Sequence, residues 1–118
     1  KYNNAFKDAN GIKIPYQKQK VSSSWHIYVL QLELEKLAVD RKEVFEALRN
    51  RNIGVNVHYI PVYYHPYYQK LGYEKDLCPK AEELYKRIIT IPLYPKMSDA
   101  DVKTVINEVK EVIRNYIK

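Results

Sequence analysis

The sequence has little glycine and almost no sulfur: three glycines, one cysteine and one methionine in 118 residues. The single thiol, Cys78, cannot form an internal disulfide, which excludes a disulfide-framed secreted domain and predicts a cytoplasmic protein. The glycines lie far apart, at positions 11, 54 and 72, whereas a Walker A loop or a dinucleotide fingerprint needs clustered glycines. We therefore expect no self-contained nucleotide chemistry.

Long apolar runs are also missing. No stretch approaches the ~18 apolar residues that would cross a bilayer, and residues 1–7 have no apolar signal core, so no membrane partner is predicted. The formal net charge of +6 comes largely from residues 1–24, where five lysines accompany one acidic residue, Asp8. Because basic and acidic side chains are interspersed and nearly balanced elsewhere, nucleic acid is not a predicted partner.

Residues of metal and nucleophile chemistry are few and poorly spaced. His58, His65 and Cys78 match none of the compact spacings of zinc sites, so no metal site is predicted. The serine run 22–24 lacks the glycines of a nucleophile elbow, and His26 is interpreted as a hydrogen-bonded core histidine. No catalytic residue is assigned to the chain.

The apolar residues that are present predict one folded domain spanning residues 1–118, since they make up 46% of the chain. Alternating apolar residues predict three strands, at 25–35, 55–60 and 89–93. Steps of three and four predict helices at 41–52, from Pro79 to Ile88 and from Ser98 to Ile117. This order predicts an α+β fold, a two-layer domain with helices packed on a short, mainly antiparallel sheet.

Capping patterns mark two of the helix starts. Asp40 is followed three residues later by Glu43, and Ser98 by Asp101, which is capping-box spacing. In the helix that Pro79 opens, the predicted core-facing stripe consists of Ala81, Leu84, Tyr85 and Ile88.

The N-terminal residues also have a helical pattern. Tyr2 and Phe6 are one turn apart and are followed by Asn10-Gly11, which predicts that residues 1–10 are the end of a helix. Because the chain then starts inside an element, we expect it to be part of a longer protein.

Tyrosine is concentrated in one segment. Six of the twelve tyrosines lie within residues 58–73, between a predicted strand and a predicted helix. So small a domain cannot bury that many rings in its core, so several are expected on a surface that a ligand or a subunit covers. Tyrosine suits both uses, because it combines an apolar face with a hydroxyl group.

Four segments of the sequence carry a resemblance to a known protein family. They are Ser24–Tyr28 (SWHIY), Ile53–Val62 (IGVNVHYIPV), Pro66–Tyr68 (PYY) and Ile91–Ser98 (IPLYPKMS). In this order, from about residue 2 to the end, the chain resembles the C-terminal part of the DegT/StrS family of pyridoxal-phosphate-dependent sugar aminotransferases.

The resemblance implies the small C-terminal domain of a type I pyridoxal-phosphate-dependent transferase fold, with residues 1–10 ending an interdomain helix. It implies a larger cofactor-binding domain upstream, whose lysine holds pyridoxal phosphate as a Schiff base. This chain would then bind no cofactor and be non-catalytic alone, while the parent forms a homodimer and aminates a nucleotide-linked keto-deoxy sugar for cell-surface glycan synthesis.

The resemblance also places His58, Tyr59, Tyr63 and His65 beside the substrate. Relatives often carry histidine at the position of Tyr63, and a tyrosine there cannot become cationic near neutral pH. Alternatives remain open: a saccharide- or nucleic-acid-binding module, a dimerisation module, and the dehydratases of the family that lack the Schiff-base lysine.

Overall fold

The computed structural model describes residues 1–118 and has an α+β architecture, as predicted. Three strands form one antiparallel sheet in the order β1-β2-β3: β1 (Ile12–Lys13), β2 (Tyr28–Leu32) and β3 (Ile88–Ile91). Five helices accompany it: α1 (Tyr2–Phe6), α2 (Arg41–Asn50), α3 (Pro66–Lys70), α4 (Pro79–Arg87) and α5 (Asp99–Tyr116). Short 3-10 turns span Leu34–Lys36 and Val62–Tyr64. No helix is both long and apolar enough to traverse a lipid bilayer.

The central strand β2 is shorter than predicted. Tyr28, Leu30 and Leu32 alternate toward the core, and Leu30 lies opposite Ile89 of β3. The strand does not extend over 25–35 because Trp25 has a positive φ of 39° and the chain turns into a 3-10 helix at Leu34. All four residues of β3 are buried, since both faces of this strand are covered.

The predicted strand at 55–60 is wrong. Only Asn56 pairs with β3, where its N–H donates to the carbonyl of Thr90 (3.0 Å) and its carbonyl accepts from the Thr90 N–H (2.8 Å). The side-chain oxygen of Asn56 accepts the N–H of Val57 at 2.7 Å, and no other residue of 55–60 pairs with a strand. The third strand is instead β1, whose Ile12 lies opposite Leu32.

Both capping boxes are confirmed. Asp40 accepts the backbone N–H of Glu43, while the Glu43 carboxylate accepts the N–H of Asp40. Ser98 and Asp101 make the same reciprocal pair at the start of α5. Side-chain acceptors thus satisfy amides at these two N-termini that would otherwise lack partners.

The core lies between the sheet and helices α1, α2 and α5, in a cluster of 17 buried residues. Phe6 of α1, Leu30 of β2 and Leu48 of α2 are fully buried. Gly11 joins α1 to β1 with a positive φ of 86°, and a Cβ there would lie 2.8 Å from Ile117. The N-terminal helix therefore packs into the same core as the rest of the domain.

Residues 57–87, which we call the arm, contribute nothing to that core cluster. The stripe predicted for α4 is half right: Ile88 is buried and Tyr85 half-buried, but Leu84 is 43% exposed and Ala81 is also exposed. Glu82 is instead only 4% exposed. Helix α4 directs this polar side chain at the preceding loop. The radius of gyration is 15.6 Å, against about 13.5 Å for a compact domain of this length, as expected when a segment projects from the core.

Candidate functional site

The tyrosine loop, residues 58–73, begins directly after the bridge between Asn56 and Thr90. It contains the 3-10 turn Val62–Tyr64 and the short helix α3. Pro61 and Pro66 fix φ at the start of these two turns, because the proline ring restricts that angle. The loop is thus attached to the sheet at one end and to the arm's own helices along its length.

His58 lies where the loop leaves the sheet. Its Nδ1 is 2.9 Å from the hydroxyl of Thr90, a buried residue of β3. This contact orients the imidazole ring and leaves Nε2 to bind a ligand. The ring of Tyr59 packs edge-on against it, with centroids 4.5 Å apart, and Tyr59 is 74% exposed. The pair offers an imidazole nitrogen, a phenol and an apolar ring face at one place.

The side chain of Tyr63 points toward α4. Its hydroxyl donates to Oε1 of Glu82 at 2.7 Å, and the hydroxyl of Tyr64 donates to Oε2 at 2.6 Å. The backbone N–H of Asp76 also donates to Oε1, at 2.7 Å. One buried carboxylate therefore accepts three hydrogen bonds from the arm.

These contacts shift the pKa values of the three side chains. Burial, followed by the Glu82 hydrogen bond, raises the pKa of Tyr63 to about 12. The hydrogen bond to Glu82 is the largest cause that raises the pKa of Tyr64 to about 12. The Tyr64 hydroxyl, and then that of Tyr63, hold the pKa of the Glu82 carboxyl below its usual value. Glu82 is thus an ionised acceptor at neutral pH, and both phenols are donors.

His65 is exposed at the N-terminus of α3. Its carbonyl accepts the N–H groups of Tyr68 (3.0 Å) and Gln69 (3.1 Å), and the residue is exposed. The Gln69 side chain donates to the carbonyls of Tyr63 and Tyr73, which closes the loop around α3. Tyr67 and Tyr73 remain exposed on the outside of this turn.

The structure thus separates the four side chains expected at the substrate. His58 and Tyr59 are in contact, His65 is exposed, and the hydroxyl proton of Tyr63 is used inside the arm. Thr90 and Glu82, which orient these groups, were not found from the sequence. A buried threonine in a strand and a glutamate in a first helical turn are both ordinary patterns, so no signal marks them.

One further expectation is corrected. His26 is exposed, so it is not a core histidine, because the chain enters β2 only at Tyr28. Cys78 is exposed at the N-cap of α4. No three His, Cys, Asp or Glu side chains lie close enough together to hold a metal ion.

The tyrosine loop exposes the rings of Tyr59, Tyr67 and Tyr73. A groove of about 710 Å³ lies elsewhere, between α1 and α5, and is lined by residues such as Asn4, Asp8 and Arg114. Because small-molecule sites are concave, the loop can supply one wall of a site but not enclose a ligand alone. The chain's own residues do not fit pyridoxal phosphate either: every lysine is exposed, so none offers the enclosed amine that would hold the cofactor.

The fold of this chain is found within solved aminotransferases. A model of the DegT/DnrJ/EryC1/StrS aminotransferase family matches residues 1–110, and the chain belongs to that family. It is 43% identical over 116 residues to the spore coat polysaccharide biosynthesis protein SpsC of Bacillus subtilis, covering 97% of this chain and 30% of that protein. It is 42% identical over 113 residues to an uncharacterised protein of Methanocaldococcus jannaschii, covering 95% and 29%.

Solved structures give the same result. The Streptococcus pneumoniae putative sugar aminotransferase Spr1654, in its PMP form, matches with a TM-score of 0.84 and 31% identity, over 97% of this chain and 28% of that one. Helicobacter pylori PseC, an aminotransferase involved in pseudaminic acid biosynthesis, matches with a TM-score of 0.87 and 26% identity, over 98% and 30%. The chain therefore spans about 30% of the length of these relatives.

Proposed function

We propose that this chain is the C-terminal small domain of a pyridoxal-phosphate-dependent aminotransferase that aminates a keto-deoxy sugar carried on a nucleotide. In this proposal residues outside the chain bind the cofactor, and the chain alone is not catalytic. The observation that carries the proposal is the family match over residues 1–110. The cofactor supplies the chemistry of amino transfer, and the protein binds and orients the reactants.

The tyrosine loop supplies one wall of the substrate site in this proposal. His58 Nε2, the Tyr59 hydroxyl and the His65 ring are the groups that the loop leaves available to sugar hydroxyls or phosphate oxygens. Tyr63 can still accept a hydrogen bond through its hydroxyl oxygen, although its proton is donated to Glu82. Exposed aromatic faces can cover the apolar side of a sugar or base.

The sugar in this proposal is a 4-keto-6-deoxy sugar linked to uridine diphosphate, destined for a cell-surface glycan. The support is that one relative is a spore coat polysaccharide biosynthesis protein and another is involved in pseudaminic acid biosynthesis.

The first test is an absorption spectrum of the complete polypeptide purified with pyridoxal phosphate. A visible band of bound cofactor that shifts when glutamate is added would support an aminotransferase. A bound cofactor that does not respond to glutamate or to other amino acids would favour a dehydratase of the family. Absence of any band would overturn the proposal and favour a binding module.

The site residues are tested by His58→Ala, with His26→Ala as a matched control on an exposed histidine outside the arm. We expect the His58 variant to lose turnover of the sugar nucleotide and the control to behave like the wild type. A normal His58→Ala enzyme would remove His58 from the proposed site.

A second use of the arm is as a contact between two copies of the protein. The observation that favours this use is that the arm exposes several apolar side chains: Tyr59, Val62, Tyr67, Leu71, Tyr73, Leu77 and Leu84. Surfaces of this composition suit subunit interfaces. Sedimentation of the complete polypeptide tests it: a dimer lost on His58→Ala with chemistry intact would favour the interface, and the reverse would favour the substrate site.

A further inference from the structure

We propose that Glu82 is a positioning residue that determines which side chains of the tyrosine loop face the ligand. The carboxylate holds Tyr63 and Tyr64 inward, and the loop then presents Tyr59, His65 and Tyr67 outward. This inference rests on the proposed function, since the outward groups are those assigned to the substrate.

The first argument is how the carboxylate is satisfied. Glu82 is 4% exposed, and no lysine or arginine lies within ion-pair distance of it. Its charge is stabilised instead by two phenol donors and the Asp76 N–H. A buried charge is costly unless it is hydrogen-bonded, and here the donors come from the segment 63–76. The carboxylate and the loop conformation therefore depend on each other.

The second argument concerns the alternatives open to the loop. If Tyr63 or Tyr64 rotated outward to meet a ligand, Glu82 would keep a buried charge with fewer donors, which is unfavourable. The two rings also pack edge to face, 5.3 Å between centroids, and Tyr64 packs edge-on against Tyr85 of α4 at 6.2 Å. These contacts favour a single arrangement, in which the two hydroxyls converge on one carboxylate.

The third argument is that Glu82 acts locally. No apolar side chain of the arm belongs to the core cluster or packs against it, although α4 lies beside β2. Removing the contacts of Glu82 should therefore loosen the arm without unfolding the domain. A positioning effect can then be measured on a folded protein.

The test uses the complete polypeptide with Glu82→Gln, and with Tyr63→Phe and Tyr64→Phe as milder variants that each remove one donor. Glutamine at 82 has one oxygen and an amide that donates, so it cannot accept all three hydrogen bonds. Glu83→Gln is the matched control, because Glu83 is exposed on the neighbouring position of α4 and pairs with Arg87. Two quantities are measured: amide hydrogen exchange over residues 62–76, and the affinity for UDP-N-acetylglucosamine as the probe.

We expect Glu82→Gln to speed exchange over residues 62–76 and weaken probe binding, each by about tenfold, because charge-assisted hydrogen bonds are lost. Each phenylalanine variant should show a smaller effect of the same kind, and Glu83→Gln neither. Exchange unchanged in Glu82→Gln would overturn the inference. Faster exchange with unaltered probe binding would also overturn it, because Glu82 would then only stabilise the arm.

Failure of the proposed function gives a different result. If the wild-type protein does not bind the probe, the proposed nucleotide-sugar substrate is wrong. The exchange data then decide the role of Glu82 in ordering the loop, with faster exchange supporting it and unchanged exchange overturning it.

Discussion

Different interactions stabilise the core and the arm of this domain. The core cluster contains 17 buried residues. They come from all three strands, from α1, α2 and α5, and from the segments that join these elements. The arm, residues 57–87, has no member of that cluster, and seven of the ten large apolar side chains exposed on the chain lie on it. Its order depends on hydrogen bonds to Glu82 and on edge-to-face tyrosine contacts.

This difference shows what the two regions are suited to do. Apolar burial is strong and non-directional, so it gives the core its stability. Hydrogen bonds are directional, so they can hold the polar groups of the arm in defined orientations while the apolar surface of the arm stays exposed. A surface of this kind is suited to meeting a ligand or another protein surface.

The largest expected difference between the core and the arm is in the loss of unfolding free energy, and Phe6→Ala tests it in the core. Phe6 is fully buried in the core, and removing a buried phenylalanine side chain costs about 3–5 kcal/mol of unfolding free energy. The matched change in the arm is Tyr67→Ala, at a residue that is 68% exposed, and we expect it to change stability by no more than about 0.5 kcal/mol. Urea denaturation followed by circular dichroism measures both, and similar losses would contradict the division into core and arm.

A smaller effect is expected for alanine at two glycines with the same backbone conformation. Gly11 and Gly72 have φ values of 86° and 88°. Alanine at either position is strained by about 1 kcal/mol. At Gly11 the new Cβ would also lie 2.8 Å from Ile117 and 3.0 Å from Ile113, whereas at Gly72 it meets nothing within 4 Å.

We therefore expect Gly11→Ala to destabilise the domain by about 1–3 kcal/mol more than Gly72→Ala, because it overpacks the core. Thermal unfolding of the two variants gives the difference. If the two midpoints fell equally, the end of α1 would not be packed against α5 as described.

The core was largely predictable from the sequence, and the arm was not. Periodic apolar residues and the capping pairs Asp40/Glu43 and Ser98/Asp101 act within a few residues of one another, so they can be found in a single sequence. Burial of Glu82 depends on tyrosines 18 and 19 positions earlier, a relation that no local pattern encodes.

The errors in the sheet have similar causes. Strand β1 is only two residues long and is defined by its pairing with β2. The predicted strand at 55–60 has the right alternation, but only Asn56 pairs with β3 before the chain enters the tyrosine loop. Of the predicted site, neither the contact between His58 and Tyr59 nor the inward turn of Tyr63 could be predicted. Neighbouring side chains of the predicted strand would lie on opposite faces, and the partner of Tyr63 comes from α4.

The cause of the raised tyrosine pKa differs between the two regions. Burial raises the pKa of Tyr2 and Tyr28 in the core to about 12. The Glu82 hydrogen bond is the largest cause of the similar value, about 12, for the pKa of Tyr64. We expect Glu82→Gln to bring the pKa of Tyr64 back toward 10.0 while the core tyrosines titrate as before. Titration of the tyrosine absorbance, with Tyr→Phe variants for assignment, measures this.

The same shifts give a pH window for the arm. Because the folded arm raises the pKa of Tyr64 from 10.0 to about 12, the stability this hydroxyl contributes is complete below pH 10 and is lost as the pH rises toward 12. The pKa of Glu82 is lowered from 4.5, so its contribution is present above pH 4.5 and is lost as the pH falls below that value. Protection of the arm amides, which is the intrinsic exchange rate divided by the measured rate at each pH, should be highest between these limits. Protection that does not fall as the pH drops below 4.5 would contradict the role of an ionised Glu82.

The smallest expected effect is a gain of stability in the arm. Asp40 and Ser98 cap the helices of the core, whereas Cys78 at the N-cap of α4 makes no side-chain hydrogen bond. Cys78→Ser adds a hydroxyl that can accept the N–H of Lys80, and N-cap serine stabilises a helix by about 0.5–1 kcal/mol relative to alanine. The gain should lie at the low end, because the Cys78 carbonyl already accepts the N–H groups of Ala81 and Glu82. Slower amide exchange in α4 for Cys78→Ser than for Cys78→Ala would show that the arm lacks a cap that the core helices have. Equal exchange in the two variants would show that Pro79 and the Glu82 contacts already fix the start of α4.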